Sequence, residues 1–226
     1  MRKIYMVSGN KGGCGKSFFC LSLIQHLKMT GQNFSVVETD DGNPDVGLAC
    51  TSDGIPTKTV DLLGEEPLSD LINAVDGMDT EIVVINAAGG DNRTLDRITV
   101  FYEALSEIAD EIRVFWVVLS EQAGVIALQE YLDATKINLG KVTVIMNLLL
   151  TKYVENFAFL RSPLRDEILK AGGSDMVMPL MSRQLADFIR DSHMTLDTSS
   201  KMTLVNRLCI QAFMKEISKG LEKVGI

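Results

Sequence analysis

The run Lys11-Gly12-Gly13-Cys14-Gly15-Lys16-Ser17, near the start of the chain, combines the residue types needed to hold a polyphosphate. Glycines let backbone N–H groups converge on one anion, and the N-terminus of a following helix adds partial positive charge. Lys16 would reach the β- and γ-phosphates of a nucleotide, and the Ser17 hydroxyl would bind Mg²⁺. Gly12, Gly13, Cys14, Gly15, Lys16, Ser17 and Phe18 are therefore the expected phosphate cradle. The pattern is irregular. Gly9 sits one place early for the common Gly-x-x-x-x-Gly-Lys-Ser/Thr spacing, and Asn10 stands where that glycine would be. Lys11 places a second cation inside a loop that already gathers positive potential, which is unfavourable unless a strong anion is present.

Such a loop needs a strand to enter it and a helix to leave it. The apolar run Ile4-Tyr5-Met6-Val7 precedes it, and helical periodicity runs from Phe18 to Leu27. Strand-like and helical patterns then alternate, the signature of a parallel sheet with crossover helices. Strands are expected at Phe34–Glu38, Glu81–Asn86, Arg113–Leu119, Val142–Met146 and, briefly, Met176–Met178. Helices are expected at Ser69–Val75, Leu95–Ala109, from a Ser120 cap to about Lys136, in part of Phe157–Leu169, and near Arg183–Arg190 and Lys201–Lys219. After Glu38 the pattern reads as a polar loop rich in Asp, Asn, Pro and Gly. The expected architecture is α/β, one doubly wound, mostly parallel sheet with helices on both faces, and residues 1–226 form a single domain.

Lys11-Gly12-Gly13-x-Gly15-Lys16-Ser17 resembles the deviant Walker A motif of the ParA/MinD family of P-loop ATPases. In that family the extra lysine reaches the partner subunit's phosphates across a dimer interface, a role the resemblance gives to Lys11. Ligands of open parallel sheets sit at the carboxyl ends of the strands, and three such ends carry further matches. Glu38-Thr39-Asp40 resembles the Asp-x-Asp of switch I, with Glu for the first Asp. By that alignment Asp40 orients the attacking water and the Mg²⁺ shell, although Asp41 lies beside it and a swap of roles stays open. Turn formation alone would also suit this Asp- and Asn-rich stretch.

Ile82-Val83-Val84-Ile85-Asn86-Ala87-Ala88-Gly89-Gly90 resembles the Walker B strand and switch II. Asn86 replaces the usual Asp there. An amide still hydrogen-bonds a Mg²⁺-bound water but brings no charge, so either hydrolysis is slow or Mg²⁺ is held mainly by Ser17, the phosphates and water. Gly89 and Gly90 would let that loop respond to loss of the γ-phosphate. Asn147, at the end of Val144-Ile145-Met146, resembles the position that reads the adenine edge, and Met178-Pro179 the segment that flanks the base. The expected ligands are thus ATP or ADP with Mg²⁺, the metal held through Ser17, Asp40 and Asn86.

Composition narrows the classes. At 46% hydrophobic and 23% charged residues, the chain reads as soluble and globular. It shows no membrane-length apolar run and no signal-peptide pattern, and Met1-Arg2-Lys3 leads straight into a strand, which points to the cytoplasm. A net charge of −8 argues against a wholly basic nucleic-acid surface. Lys201, Arg207, Lys215, Lys219 and Lys223 could form a local patch, but Glu216 and Glu222 interleave them. Met214, Ile217, Leu221 and Val224 have helical spacing and suit a helix packed on the domain better than a membrane anchor. Cys14, Cys20, Cys50 and Cys209 form no metal spacing and read as reduced, buried thiols, Cys14 with some promise of reactivity beside Lys16. His26 and His193 read as surface residues.

The resemblance implies a homodimerising ATPase switch with a partner protein that stimulates hydrolysis, and with DNA as a further partner of the dimer. The short chain looks most like plasmid-partitioning, stability and conjugative-mobilisation relatives. Two alternatives stand beside it: an ATP-bound scaffold that does not hydrolyse, and an ATP-dependent small-molecule ligase on the same fold.

Overall fold

Continuous apolar runs mark strands buried on both faces, and they assemble as parallel sheets require. The strands are β1 (Lys3–Gly9), β2 (Phe34–Glu38), β3 (Thr57–Thr59), β4 (Ile82–Asn86), β5 (Glu111–Val118), β6 (Val142–Asn147) and β7 (Ser174–Met178). The helices are α1 (Lys16–Met29), α2 (Asp45–Ser52), α3 (Pro67–Asp76), α4 (Leu95–Ile108), α5 (Gln122–Thr135), α6 (Pro163–Lys170), α7 (Arg183–Asp191) and α8 (Leu204–Lys223). The computed structural model describes residues 1–9, 12–40, 42–88, 95–197 and 202–226, with the backbone alone for 95–98.

The seven strands lie in the order β3-β2-β4-β1-β5-β6-β7, and every pair is parallel. The chain leaves β1 toward β2 on one side and later crosses to β5 on the other. The carboxyl end of β1 is therefore the point where the winding reverses, the crevice such sheets use for ligands.

Strand alternation divides the core. Tyr5, Val7, Val36, Val84, Phe115, Val117 and Ile145 face α1, α2, α7 and α8. Ile4, Met6, Val37, Val83, Ile85, Val114, Trp116 and Val144 face α3, α4, α5 and α6. Phe115 anchors the first face, with Tyr5 edge-on at 5.8 Å and Phe19 at 5.7 Å between ring centres. Burying each such ring contributes roughly 2–3 kcal/mol.

Helix starts follow local chemistry. Ser162 accepts from the Arg165 N–H ahead of Pro163, Ser182 from that of Leu185, and Thr203 from that of Asn206. Helix α8 buries Ile210, Phe213, Met214, Ile217 and Leu221 at helical spacing, so its apolar stripe packs on the domain as expected. It begins at Leu204; Lys201 lies outside the described residues.

Four expectations need correction. The segment read as a polar loop after β2 contains helix α2 and strand β3, the latter a short polar edge strand. Ser120 does not cap α5; Glu121 occupies that position, and its side chain makes no capping bond. His26 is 1% exposed, because α8 covers α1 and puts its outer face inside too; the ring meets the Ser218 hydroxyl at 3.0 Å. Cys209 is exposed, on the outer side of α8, while the other three thiols are buried.

Candidate nucleotide site

Strand β1 delivers the chain to Gly9, where any side chain would collide. A Cβ there would stand 2.8 Å from the Val117 carbonyl oxygen and 2.9 Å from Cys14 Sγ, so the loop can fold back over its own strand only from a glycine. Gly13 (φ 78°) and Gly15 (φ 96°) take the left-handed conformation that turns successive amides inward. Gly15 is also the N-cap of α1, with its carbonyl accepting from the Phe19 N–H at 2.9 Å. It has no side chain to cap the helix, and the first turn of α1 has no acidic residue. No side-chain cap among the described residues competes for this helix start, and its dipole favours an anion there. Gly12 and Gly13 are exposed, Ser17 and Phe18 half-buried, and Lys16 is 6% exposed with its stem running beneath Gly9. The Cys14 thiol is wholly buried, as befits a small residue filling the loop's underside.

Asn147 supports this loop from below. Its Nδ2 donates to the Cys14 carbonyl at 2.9 Å, and its Oδ1 accepts from the Leu149 N–H at 3.1 Å. A Cβ on Gly15 would overlap the Asn147 amide, so the two positions are fitted to each other. Asn147 pairs in register with Met178 on β7, and the Leu148 N–H donates to the Met178 carbonyl at 3.2 Å. Met178 is buried and Pro179 half-buried. The β6 and β7 ends are thereby joined to each other and to the glycine loop. Base contact from Asn147 would come in addition to this bracing work.

On the other flank, Glu38, Asn86 and Val7 stand in one row of the sheet, on the α1 face. Glu38 is fully buried. Its Oε1 accepts from Asn86 Nδ2 at 2.9 Å and from the Asp40 N–H at 3.0 Å, and its Oε2 accepts from the Gly47 N–H at 3.0 Å. Burial raises its pKa, and these three donors partly offset that rise. Cys50 beside it is pushed up to about 12 by burial, then by Glu38 and Asp53. Cys20 is raised as well, chiefly by burial, so both thiols stay protonated and inert.

Thr39, the unassigned middle residue of Glu38-Thr39-Asp40, ties the two strand ends together. Its hydroxyl donates to the Asn86 carbonyl at 2.9 Å and accepts from the Ala88 N–H at 3.1 Å. The sequence signal for it was only its place between two acids. Asp40 is half-buried at the rim. Lys11, Asp41, Gly89 and Gly90 lie outside the described residues.

Among the described residues no cluster of three His, Cys, Asp or Glu side chains could hold a metal by itself. A Mg²⁺ ion does not require one, since it keeps several waters and leans on substrate phosphates. Asn86 Oδ1, a buried acceptor with no partner among the described residues, fits such a water shell, as do the Ser17 hydroxyl and the Asp40 carboxylate.

No family model matches the chain. Protein MobD of Acidithiobacillus ferrooxidans is 27% identical over 225 residues, spanning 99% of this chain and 98% of that protein. Among solved structures, the MinC:MinD cell division protein complex of Aquifex aeolicus matches with a TM-score of 0.61 at 14% identity, covering 100% of this chain and 98% of that one. A nucleotide-binding protein of Archaeoglobus fulgidus, in complex with ADP, matches with a TM-score of 0.57 at 14% identity, covering 87% and 88%. The seven-stranded all-parallel sheet with helices on both faces thus has the α/β P-loop fold shared with MinD and other nucleotide-binding proteins.

Proposed function

We propose that the chain is an ATP-dependent dimerising switch of the ParA/MinD kind that hydrolyses ATP slowly. In this reading ATP brings two copies together, hydrolysis separates them, and the paired state engages a partner protein in positioning or maintaining plasmid DNA or a conjugation complex. The observation that carries it is the uncapped start of α1, entered through left-handed Gly13 and Gly15 with Lys16 held beneath. An anion with several oxygens is what such a loop accommodates.

In this reading Gly12 to Phe18 wrap the phosphates, Lys16 contacts the β- and γ-phosphates, and Lys11 reaches the partner's nucleotide. Asn147, Met178 and Pro179 border the adenine. Mg²⁺ is held by Ser17 and, through water, by Asp40 and Asn86; when bound it offsets phosphate charge. Asp40 orients the attacking water. Likeness to Protein MobD along nearly the whole chain fits a mobilisation setting. The MinC:MinD complex offers precedent for a protein partner on this fold. No helix of the described residues is long and apolar enough to cross a membrane, which agrees with a cytoplasmic site of action.

A second reading, an ATP-bound scaffold without turnover, draws on Asn86, which supplies no negative charge. Light scattering after size exclusion, with ATP and Mg²⁺, tests the dimer for wild type and Lys11→Ala. A dimer formed only with ATP and lost in Lys11→Ala supports the switch. A monomer that binds ATP under all conditions overturns it. Phosphate release by the wild-type dimer then separates switch from scaffold.

A further inference from the structure

The two amide atoms of Asn86 have opposite fates. Nδ2 donates to Glu38, whereas Oδ1 is buried and has no partner among the described residues. That orientation is dictated by the surroundings. Both Glu38 oxygens already accept from backbone N–H groups, those of Asp40 and Gly47, which belong to the fixed chain. A carboxylate so engaged offers only acceptors, so the amide nitrogen must face it. The amide oxygen is consequently turned away from β2. Asn86 pairs with Val7 of β1, two residues before Gly9, on the face where α1 begins.

We propose that Glu38 is a positioning residue for a divalent cation's water shell. It locks the Asn86 carboxamide with the oxygen presented to the phosphate-loop side, where that oxygen accepts from a metal-bound water. The proposal rests on the nucleotide reading above. Glu38 also supplies, one side chain away, the negative charge that Asn86 lacks. An aspartate at position 86 would set two carboxylates in contact, so the Glu38–Asn86 pair delivers an acceptor and one charge without that repulsion.

The test is titration calorimetry with ATP, once in Mg²⁺ and once in EDTA, the ratio of affinities giving the gain due to the metal. Wild type is expected to show a clear gain. Glu38→Gln should lose about tenfold or more of it, as outer-shell partners of metals commonly do, with affinity in EDTA within about twofold of wild type. A glutamine can donate to Asn86 Oδ1 and release the lock. The double variant Glu38→Gln/Asn86→Asp should recover the gain, because the glutamine amide binds one oxygen of the new aspartate and leaves the other presented. Should Glu38→Gln not fold, Asn86→Ala, which removes the oxygen and keeps Glu38 on its backbone donors, is expected to show the same loss. Full retention of the gain in the folded variant overturns the proposal, as does an equal loss in EDTA. Absence of ATP binding by wild type in both buffers is a different result: it overturns the nucleotide reading itself and this inference with it.

Discussion

At the amino ends of the strands, charged side chains find one another near the surface. Arg2 bonds Asp76 at 2.9 Å and its N–H reaches Asp110, while Glu111 accepts from both Lys141 at 2.8 Å and Arg113 at 2.9 Å. At the carboxyl ends, Glu38, Asn86, Asn147 and Lys16 are almost wholly buried. In the first arrangement each of these charges is answered by protein. In the second, a buried acceptor and a helix start without a side-chain cap find no partner among the described residues. Polar groups cost most where they are buried and unsatisfied; of the four such side-chain atoms among the described residues, Gln25 Oε1, His26 Nε2, Trp116 Nε1 and Asn86 Oδ1, the last stands at the carboxyl end of β4, beside the start of α1.

The strongest way to break the comparison is to remove the buried cation from the carboxyl end. Under the proposed function, Lys16→Ala removes a charge-assisted contact to phosphate worth roughly 2–3 kcal/mol, so ATP affinity should fall about 30- to 150-fold. Truncating the buried Lys16 stem should also lower the melting temperature, because its packing beneath Gly9 is lost. Calorimetry beside a thermal melt reads both. An unchanged ATP affinity would mean that the carboxyl end is not a phosphate site.

Asn147→Ala attacks the bracing beneath the loop. It strips the Cys14 carbonyl of its donor and opens a gap under Gly15. Leaving a buried group unsatisfied costs about 1–3 kcal/mol, so stability in urea should drop by that order with ATP absent. If Asn147 served the base alone, the melt without nucleotide would stay where it is and only binding would suffer.

The sequence displayed the phosphate loop and the strands well because their signals are local. A glycine run between an apolar strand and a helix carries its own geometry, and strands buried on both faces read as apolar runs. Helix α2 escaped because Asp45-Val46-Gly47 follows a turn-rich stretch and includes a helix-weakening glycine. The structure supplies the reason for Gly47: its N–H reaches Glu38, and a Cβ there would crowd the Glu38 side chain at 3.0 Å. His26 was misplaced for a related reason. Amphipathic reasoning assumes one wet face, and α1 has none once α8 lies over it. Glu38 looked like an imperfect match to Asp-x-Asp, and Asn86 like a lost acid. Only the register of β2 with β4 shows that the two departures touch.

The smallest expected effect comes from the amino end, and its sign separates the two ends. The Lys141 hydrogen bond, with Arg113 behind it, holds the Glu111 carboxyl below its usual pKa. A carboxylate depressed in the folded state stabilises the fold above its unfolded value, near 4.3, and that contribution is lost as pH falls through the folded value. Lys141 is 43% exposed, so solvent screening limits the pair to about 1 kcal/mol or less. Glu111→Gln should therefore melt about 2–4 °C below wild type at pH 7. The difference should shrink steadily below about pH 4.5, and ATP binding at pH 7 should not change. Thermal melts of both proteins from pH 7 to pH 3 check this. A gap that persisted at pH 3 would assign the loss to packing of the side chain, and a change in ATP affinity would show that the two ends of the sheet are coupled after all.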